Sequence, residues 1–235
     1  MNIKVTLLII LVSINSIKSQ NNMAIKDKYW QVGIGLGEIP MKNSFKPSFT
    51  IGYHFNANLY AGIIYQFKDK ISRNNSSFNV ASSELEGLVR SSENVGNRFM
   101  FQLRITPLKY LPYISTGFVF NGQDKELMHF GTMNRIINNE NYSGDISIEQ
   151  ERLKGWGFAL GLGYQYDFKN RFSLNFEWTP AWFQGYPKVK YKFSGTSNLS
   201  NEAKENIKQK MDEGFSSTIT NYYKVFHFGL AYRFP

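Results

Sequence analysis

The stretch Trp156 to Tyr166, WGFALGLGYQY, decides the fold. Trp156, Phe158, Leu160, Leu162, Tyr164 and Tyr166 take every second position, and Gly157, Ala159, Gly161, Gly163 and Gln165 fill those between. Successive side chains of a strand point to opposite faces, so this run has one large apolar face and one small, polar face. A helix would scatter the same residues around its circumference. Seven more runs alternate in this way: Trp30 to Gly37, Phe49 to Phe55, Leu59 to Phe67, Phe99 to Thr106, Ile114 to Phe120, Phe172 to Thr179 and Phe226 to Phe234. The two faces differ least in Ile114 to Phe120.

Charge tells what each face meets. Asp, Glu, Lys and Arg make up 19% of the chain, yet the 67 residues of the eight runs hold three of them, Arg104, Glu177 and Arg233, all on the small polar face. A soluble eight-stranded barrel of the lipocalin kind turns its apolar face inward and needs charge outside. Here the apolar face suits lipid, where a charge near the midplane costs ~2–4 kcal/mol. Trp30, Tyr53, Phe55, Tyr65, Phe67, Trp156, Tyr164, Tyr166, Trp178 and Tyr232 lie near run ends, where aromatic girdles form at the two membrane interfaces.

The connections alternate in length. Glu38 to Ser48, Lys68 to Arg98, Asn121 to Gly155 and Pro180 to Asn221 are long, whereas Asn56 to Asn58, Pro107 to Tyr113 and Asp167 to Arg171 are short. Structureless loops beyond ~12–15 residues are uncommon in compact soluble domains. The expected fold is all-β: an eight-stranded antiparallel up-and-down transmembrane β-barrel with short periplasmic turns and long extracellular loops. It forms one domain over residues 20–235, with principal loops at about 68–98, 121–155 and 180–221.

The first 19 residues read as a signal peptide: Met1 to Lys4 is basic, Val5 to Val12 is apolar, and Ser13 to Ser19 is polar with a small residue before the cut. The apolar run is too short for a membrane helix, which needs ~20 residues. A mean hydropathy of −0.35 is too low for a bundle of such helices. The absence of Cys excludes disulfides, thiolate metal sites and a Cys nucleophile. Of the net charge of +9, Lys4 and Lys18 leave with the leader and the rest is spread over strands, turns and loops. No phosphate-tracking stripe results, and no nucleic-acid partner is expected.

From WQVGIGLG at Trp30 to FHFGLAYRFP ending at Pro235, the chain resembles the small eight-stranded outer-membrane barrels of the OmpA, OmpX and OmpW type. That resemblance implies the outer membrane of a Gram-negative bacterium, with contact to its lipids and lipopolysaccharide. It also implies passage through the barrel-assembly machinery, whose recognition signal the last strand resembles at Phe226, Phe228, Leu230, Tyr232 and Phe234. Pro235 departs from that pattern by displacing Phe234 from the final position.

An eight-stranded barrel is just wide enough to be filled by side chains or to hold one small ligand, so a general diffusion pore is not expected. The inward set comprises Gln31, Thr50, His54, Gln66, Gln102, Arg104, Asn175, Glu177, His227 and Arg233. Among these, Gln102, Arg104, Glu177, Arg233, His54 and His227 are expected to form a polar network, with Glu177 paired to Arg104 or Arg233 because a buried charge needs a partner. Inward glycines such as Gly33, Gly35, Gly161 and Gly163 leave space. His54 and His227 are placed near the periplasmic end, and His129 in a long loop without a triad arrangement. No catalytic residue, cofactor or metal ligand is assigned.

In the longest loop, Leu199, Ala203, Ile207 and Met211 recur every four residues and predict a helix capped by Ser200 and ended by Gly214. Just before it, Lys188, Lys190 and Lys192 alternate with Val189, Tyr191 and Phe193 in a strand extending above the membrane, where a solvated edge is expected and contact with lipopolysaccharide phosphates is the alternative. Three functions stay open: a structural or adhesive surface protein acting through its loops, a narrow channel for small or hydrophobic solutes, and a subunit of an envelope secretion complex. A lipid-modifying enzyme and a soluble lipocalin-like binder complete the set.

Overall fold

A computed structural model describes residues 28–37, 46–76, 85–107, 112–168, 170–183, 189–217 and 223–234. The leader, Lys188 and Pro235 lie outside the described residues. In chain order the elements are β1 (Tyr29–Leu36), β2 (Pro47–His54), β3 (Leu59–Gln66), β4 (Asp69–Asn74), β5 (Leu88–Val95), β6 (Arg98–Ile105), β7 (Tyr113–Asn121), β8 (Asp124–Ile137), β9 (Glu140–Arg152), β10 (Gly155–Asp167), β11 (Phe172–Phe183), β12 (Val189–Ser194), α1 (Asn201–Ser217) and β13 (Tyr223–Phe234).

Eight strands close into an antiparallel barrel in the order β1-β13-β11-β10-β7-β6-β3-β2. All eight alternating runs are strands of this barrel, and their bounds differ from the sequence reading chiefly in β11 and β13, which reach further at the long-loop end. The first and last strands join over the register Trp30↔Phe234 to Leu36↔Phe228. Closure leaves no barrel strand with an unpaired edge. The alternation sorts faces as the residues dictate: Ile34 and Phe118 on the outside are 69% and 63% exposed, while Thr50, Gln102 and Asn175 point inward and are buried.

Aromatic rings on the outside gather in two bands. At the short-turn end Trp30 meets Tyr53, Tyr166 meets Phe168, and Tyr232 meets Phe172 and Phe234. At the long-loop end Trp156 packs 5.2 Å from both Phe99 and Phe120.

Three of the four long connections, Lys68 to Arg98, Asn121 to Gly155 and Pro180 to Asn221, carry strands of their own among the described residues. A second, five-stranded sheet runs in the order β12-β9-β8-β5-β4. Its members continue the barrel strands β11, β10, β7, β6 and β3 in the same order. Register carries over: three residues on each strand separate the barrel pair Arg98↔Asn121 from the upper pair Asn94↔Lys125. The hairpin between β8 and β9 turns at Asn138 and Asn139, with φ of 54° and 64°. Two consecutive left-handed residues make the primed turn whose twist matches the flanking strands, and Asn tolerates that conformation.

The helix packs on this sheet. Leu199, Ala203, Ile207 and Met211 are buried against Met128, Phe130, Ile146 and Ile148, giving the upper unit its own apolar core. The Ser200 hydroxyl accepts from the Ala203 amide at 3.1 Å, an N-cap. The helix does not end before Gly214 but runs to Ser217. A single helical glycine costs ~1 kcal/mol, which packing of the apolar stripe outweighs.

Replacing Ile207 by Ala removes a fully buried side chain from this upper core. The expected cost is ~2–4 kcal/mol of local stability. Hydrogen exchange should quicken in α1, β8 and β9 while the barrel strands stay protected.

Candidate functional site

Arg104 with Glu177 and Arg233 with Asp167 form two separate charge clusters in the lumen, and Arg98 at the long-loop rim donates to Asn121 at 2.7 Å. Glu177 on β11 is fully buried, and its carboxylate accepts from Ser115 Oγ at 2.7 Å, Thr179 Oγ1 at 2.9 Å, Tyr113 OH at 3.0 Å and the Gln102 amide. Arg104 Nη2 lies 3.4 Å from the same carboxylate, and the Arg104 side chain is 3% exposed. Its guanidinium sits between the rings of Tyr60 and Tyr113, 4.5 and 4.7 Å from their centroids. Arg104 Nε donates to Gln102 Oε1, so one amide bridges both ions. Attraction between the ions and the donors around Glu177 offset part of the desolvation, while among the described residues Arg104 Nη1 and Nη2 have no hydrogen-bond partner and rely on the carboxylate and the two rings.

Arg233 belongs elsewhere. It pairs with Asp167 at 3.2 Å and donates to the Phe168 carbonyl at the short-turn end. His54 stands near it, with Nε2 2.8 Å from Gln31 Oε1 and its ring stacked on Tyr29. His227 is misplaced by the sequence reading: its Nδ1 lies 2.8 Å from Ser48 Oγ, towards the long-loop end, because β13 enters the barrel from that end. The six residues assigned to one network therefore form three groups: Gln102 with Arg104 and Glu177, Arg233 with His54 close by, and His227 alone with Ser48.

The inward glycines do not leave open space throughout. A Cβ on Gly52 or Gly62 would lie 2.3 or 2.4 Å from the Tyr60 hydroxyl, and one on Gly163 would lie 2.2 Å from the Tyr113 ring. Two tyrosines thus occupy what the glycines vacate. Neither was legible as a lumen residue, although the facing pair Gly52↔Gly62 is the signal that a large neighbour fills that height. Above the ion pair, Ile64, Met100, Val119, Ala159, Ala181 and Val225 form an apolar layer across the lumen. Several buried polar atoms below it, including Asn175 Nδ2, Ser173 Oγ and His227 Nε2, lack a protein partner and call for bound water.

At the junction with the upper sheet a further polar cluster forms. Arg73 pairs with Glu93 at 3.1 Å, and Asp124 accepts from the Gly96 amide at 2.7 Å and from Asn121 at 3.2 Å. Burial and the neighbouring Glu126 push the Glu93 carboxyl up to about 7, against the opposing pull of Arg73. Higher on the same sheet His129 Nδ1 lies 3.0 Å from Ser147 Oγ, a neighbour the sequence reading missed because it came from another strand of the hairpin. The Asp145 carboxylate nearby is engaged by Thr196, which holds its pKa below the ordinary value. Asp145 is hydrogen-bonded to Thr196 rather than to the His129 ring, so among the described residues no acid orients the pair as a triad requires.

No family model matches the sequence, and no curated protein matches it. Among solved structures, the chain is similar to the crystal structure of Acinetobacter baumannii CarO, with 14% identity over 91% of this chain and 100% of that one, at a TM-score of 0.54. It is also similar to Acinetobacter baumannii CarO2, with 11% identity over 88% of this chain and 97% of that one, at a TM-score of 0.55. A major outer membrane protein from Thermus thermophilus matches at 12% identity over 88% and 99% of the two chains, with a TM-score of 0.40. The fold is that of the eight-stranded outer-membrane barrels.

Arg104→Met alone leaves Glu177 buried and uncompensated and should cost ~3–5 kcal/mol, whereas Arg104→Met with Glu177→Gln should recover much of that loss in urea unfolding. Glu93 has a raised native pKa, so the native state binds its proton more tightly than the unfolded chain. Its contribution is fully present below the unfolded pKa of about 4.3 and is lost as pH rises through about 7. Between those values the upper sheet should lose stability with rising pH, and Glu93→Gln should flatten that slope in limited proteolysis.

Proposed function

We propose that this chain is an integral outer-membrane protein of a Gram-negative envelope, exported by its leader, whose closed barrel anchors a folded surface platform. The platform, made of β4, β5, β8, β9, β12 and α1, carries the contacts. This reading refines a role for the long extracellular loops into a role for one folded surface, and rigid scaffolds position recognition surfaces well.

The observation that carries it is the pairing of an apolar outer wall with a filled interior. Ile34, Phe101, Phe118, Trp156, Leu162 and Trp178 all stand exposed around the outside. A soluble monomer seldom exposes apolar patches beyond a few hundred Å². Lipid makes the same belt favourable. Inside, the ion pair, the two tyrosines and the apolar layer stand in the path a solute would take. That supports an anchor over a narrow channel. Phe228, Leu230 and Phe234 face outward on the last strand, as a barrel-assembly signal requires, while Phe226 is buried against Phe176.

Reconstitution in a planar bilayer tests the function. The protein should insert without producing steady conductance, and vesicles containing it should not swell in small sugars. Resolved, persistent single-channel steps would favour the channel reading instead.

A further inference from the structure

Two glutamates stand face to face inside the upper sheet. Residues directly opposite each other in antiparallel strands share a face, and the register sets Ile71, Glu93, Glu126, Gln150 and Tyr191 in one row across β4, β5, β8, β9 and β12. This is the face that α1 covers, because Tyr191 packs on the upper core and its hydroxyl donates to Asp212 of the helix at 2.6 Å. Glu126 is 4% exposed, and the Glu93 side chain 15%. Like charges directly opposite destabilise a sheet, and burial raises the cost.

The surroundings compensate only in part. Arg73 on β4 donates through Nη1 and Nη2 to Glu93 Oε2, both at 3.1 Å, and Arg152 on β9 adds a favourable field at Glu93. Asp124, two residues before Glu126 on the same face of β8, brings a third carboxyl, and Lys125 is engaged by Glu149. Glu93, Asp124, Lys125, Glu126, Gln150 and Arg152 line a cavity of about 10 Å³, room for one water. Gln150 is 2% exposed, and its Oε1 has no hydrogen-bond partner among the described residues, while its Nε2 donates to the Tyr191 hydroxyl at 3.3 Å.

The row stands directly above the passage from barrel to platform. β5 runs into β6 through Gly96 and Asn97, and β7 into β8 through Gly122 and Gln123. The Gly122 amide donates to the Asn97 carbonyl and the Gly96 amide to Asp124, both at 2.7 Å. A Cβ on either glycine would lie 2.7 Å from the backbone of the facing break, so only glycine lets the two breaks close on each other.

We propose that Glu93 and Glu126 share a single proton and that this proton latches the joint: the platform is held firmly on the barrel while the proton stays, and the joint loosens when it leaves. Protonated, Glu93 donates across the rung and turns repulsion into a hydrogen bond. Ionised, the two carboxylates face each other and draw water into the cavity. Burial and Glu126 hold the Glu93 carboxyl up at about 7, against the pull of Arg73 and Arg152, so the latch works around neutral pH. The inference rests on the platform reading above and adds its regulation.

The test uses the full chain in detergent micelles, read by the infrared C=O stretch of protonated carboxyls. A buried protonated carboxyl should be seen at about pH 6 and be lost by about pH 8, whereas ordinary carboxyls have ionised by about pH 5. Glu93→Gln should abolish that band, and Glu126→Gln should move its loss about one pH unit lower. Glu149→Gln, on the opposite face of the same sheet, should leave it unchanged. Hydrogen exchange in β5 and in β8 next to the junction, corrected for the intrinsic effect of pH, should quicken about tenfold between about pH 6 and pH 8. In Glu93→Gln, which keeps a neutral group in place, exchange should not respond to pH; a merely structural role would change it equally at both. Absence of the band in the native chain, its survival in Glu93→Gln, or an unaltered pH response of exchange in Glu93→Gln would each overturn the proposal. Steady channel steps in a planar bilayer would overturn the anchor reading instead and leave these outcomes standing.

Discussion

Backbone closure between β1 and β13 is the constraint on which the rest of this structure depends. In hydrocarbon an unpaired N–H or C=O costs several kcal/mol, so a sheet survives there only as a closed ring. The ladder from Trp30↔Phe234 to Leu36↔Phe228 completes that ring and joins the first barrel strand to the last. Once the ring is closed, side chains on the outside are free to be apolar, and those on the inside need only satisfy one another. The upper sheet escapes this constraint. Its edge strands β4 and β12 lie outside the ring, where water can pair with their backbones, and so it remains open.

The interior shows how few charges such a barrel needs. Arg104 and Glu177 are held by Tyr60, Tyr113, Gln102, Ser115 and Thr179 from neighbouring and facing strands. These contacts cross the lumen and tie strands that the ladder alone would link only through their neighbours. Buried polar clusters of this kind demand complete satisfaction, because a missing partner leaves a charge in low dielectric. The same logic governs the junction, where Arg73, Glu93 and Asp124 meet just above the barrel.

Much of the barrel was legible from alternation alone. A wall with lipid on one side and a narrow polar lumen on the other forces the strongest contrast a strand can carry, and Trp156 to Tyr166 shows it in its purest form. The Arg104 and Glu177 pair was legible because three charges in eight strands leave few partners. Arg233 found Asp167, which the reading had placed in a turn. Tyr60 escaped notice because in β3 both faces are apolar, with Leu59, Ala61 and Ile63 opposite Tyr60, Gly62 and Ile64. The upper sheet was hidden for a related reason. Its strands meet a helix on one face and water on the other, so β8 mixes Glu126 with Met128 inside and Lys125 with Leu127 outside. The alternation of Lys190 and Lys192 with Val189, Tyr191 and Phe193, which forms β12, and the spacing of Leu199, Ala203, Ile207 and Met211 announced structure there, whereas the turn at Asn138 and Asn139 went unread.

The central claim, that the apolar wall faces lipid while the upper sheet stands above it, is open to direct measurement because the chain has no Cys of its own. Single substitutions Leu162→Cys on β10 and Leu127→Cys on β8, each carrying a fluorescent label, can be compared in vesicles containing nitroxide lipids of known depth. The account predicts that the label at 162 is quenched by nitroxides on the acyl chains and shielded from aqueous iodide, and that the label at 127 shows the reverse. Quenching of the 162 label by iodide, with no response to acyl-chain nitroxides, would contradict it.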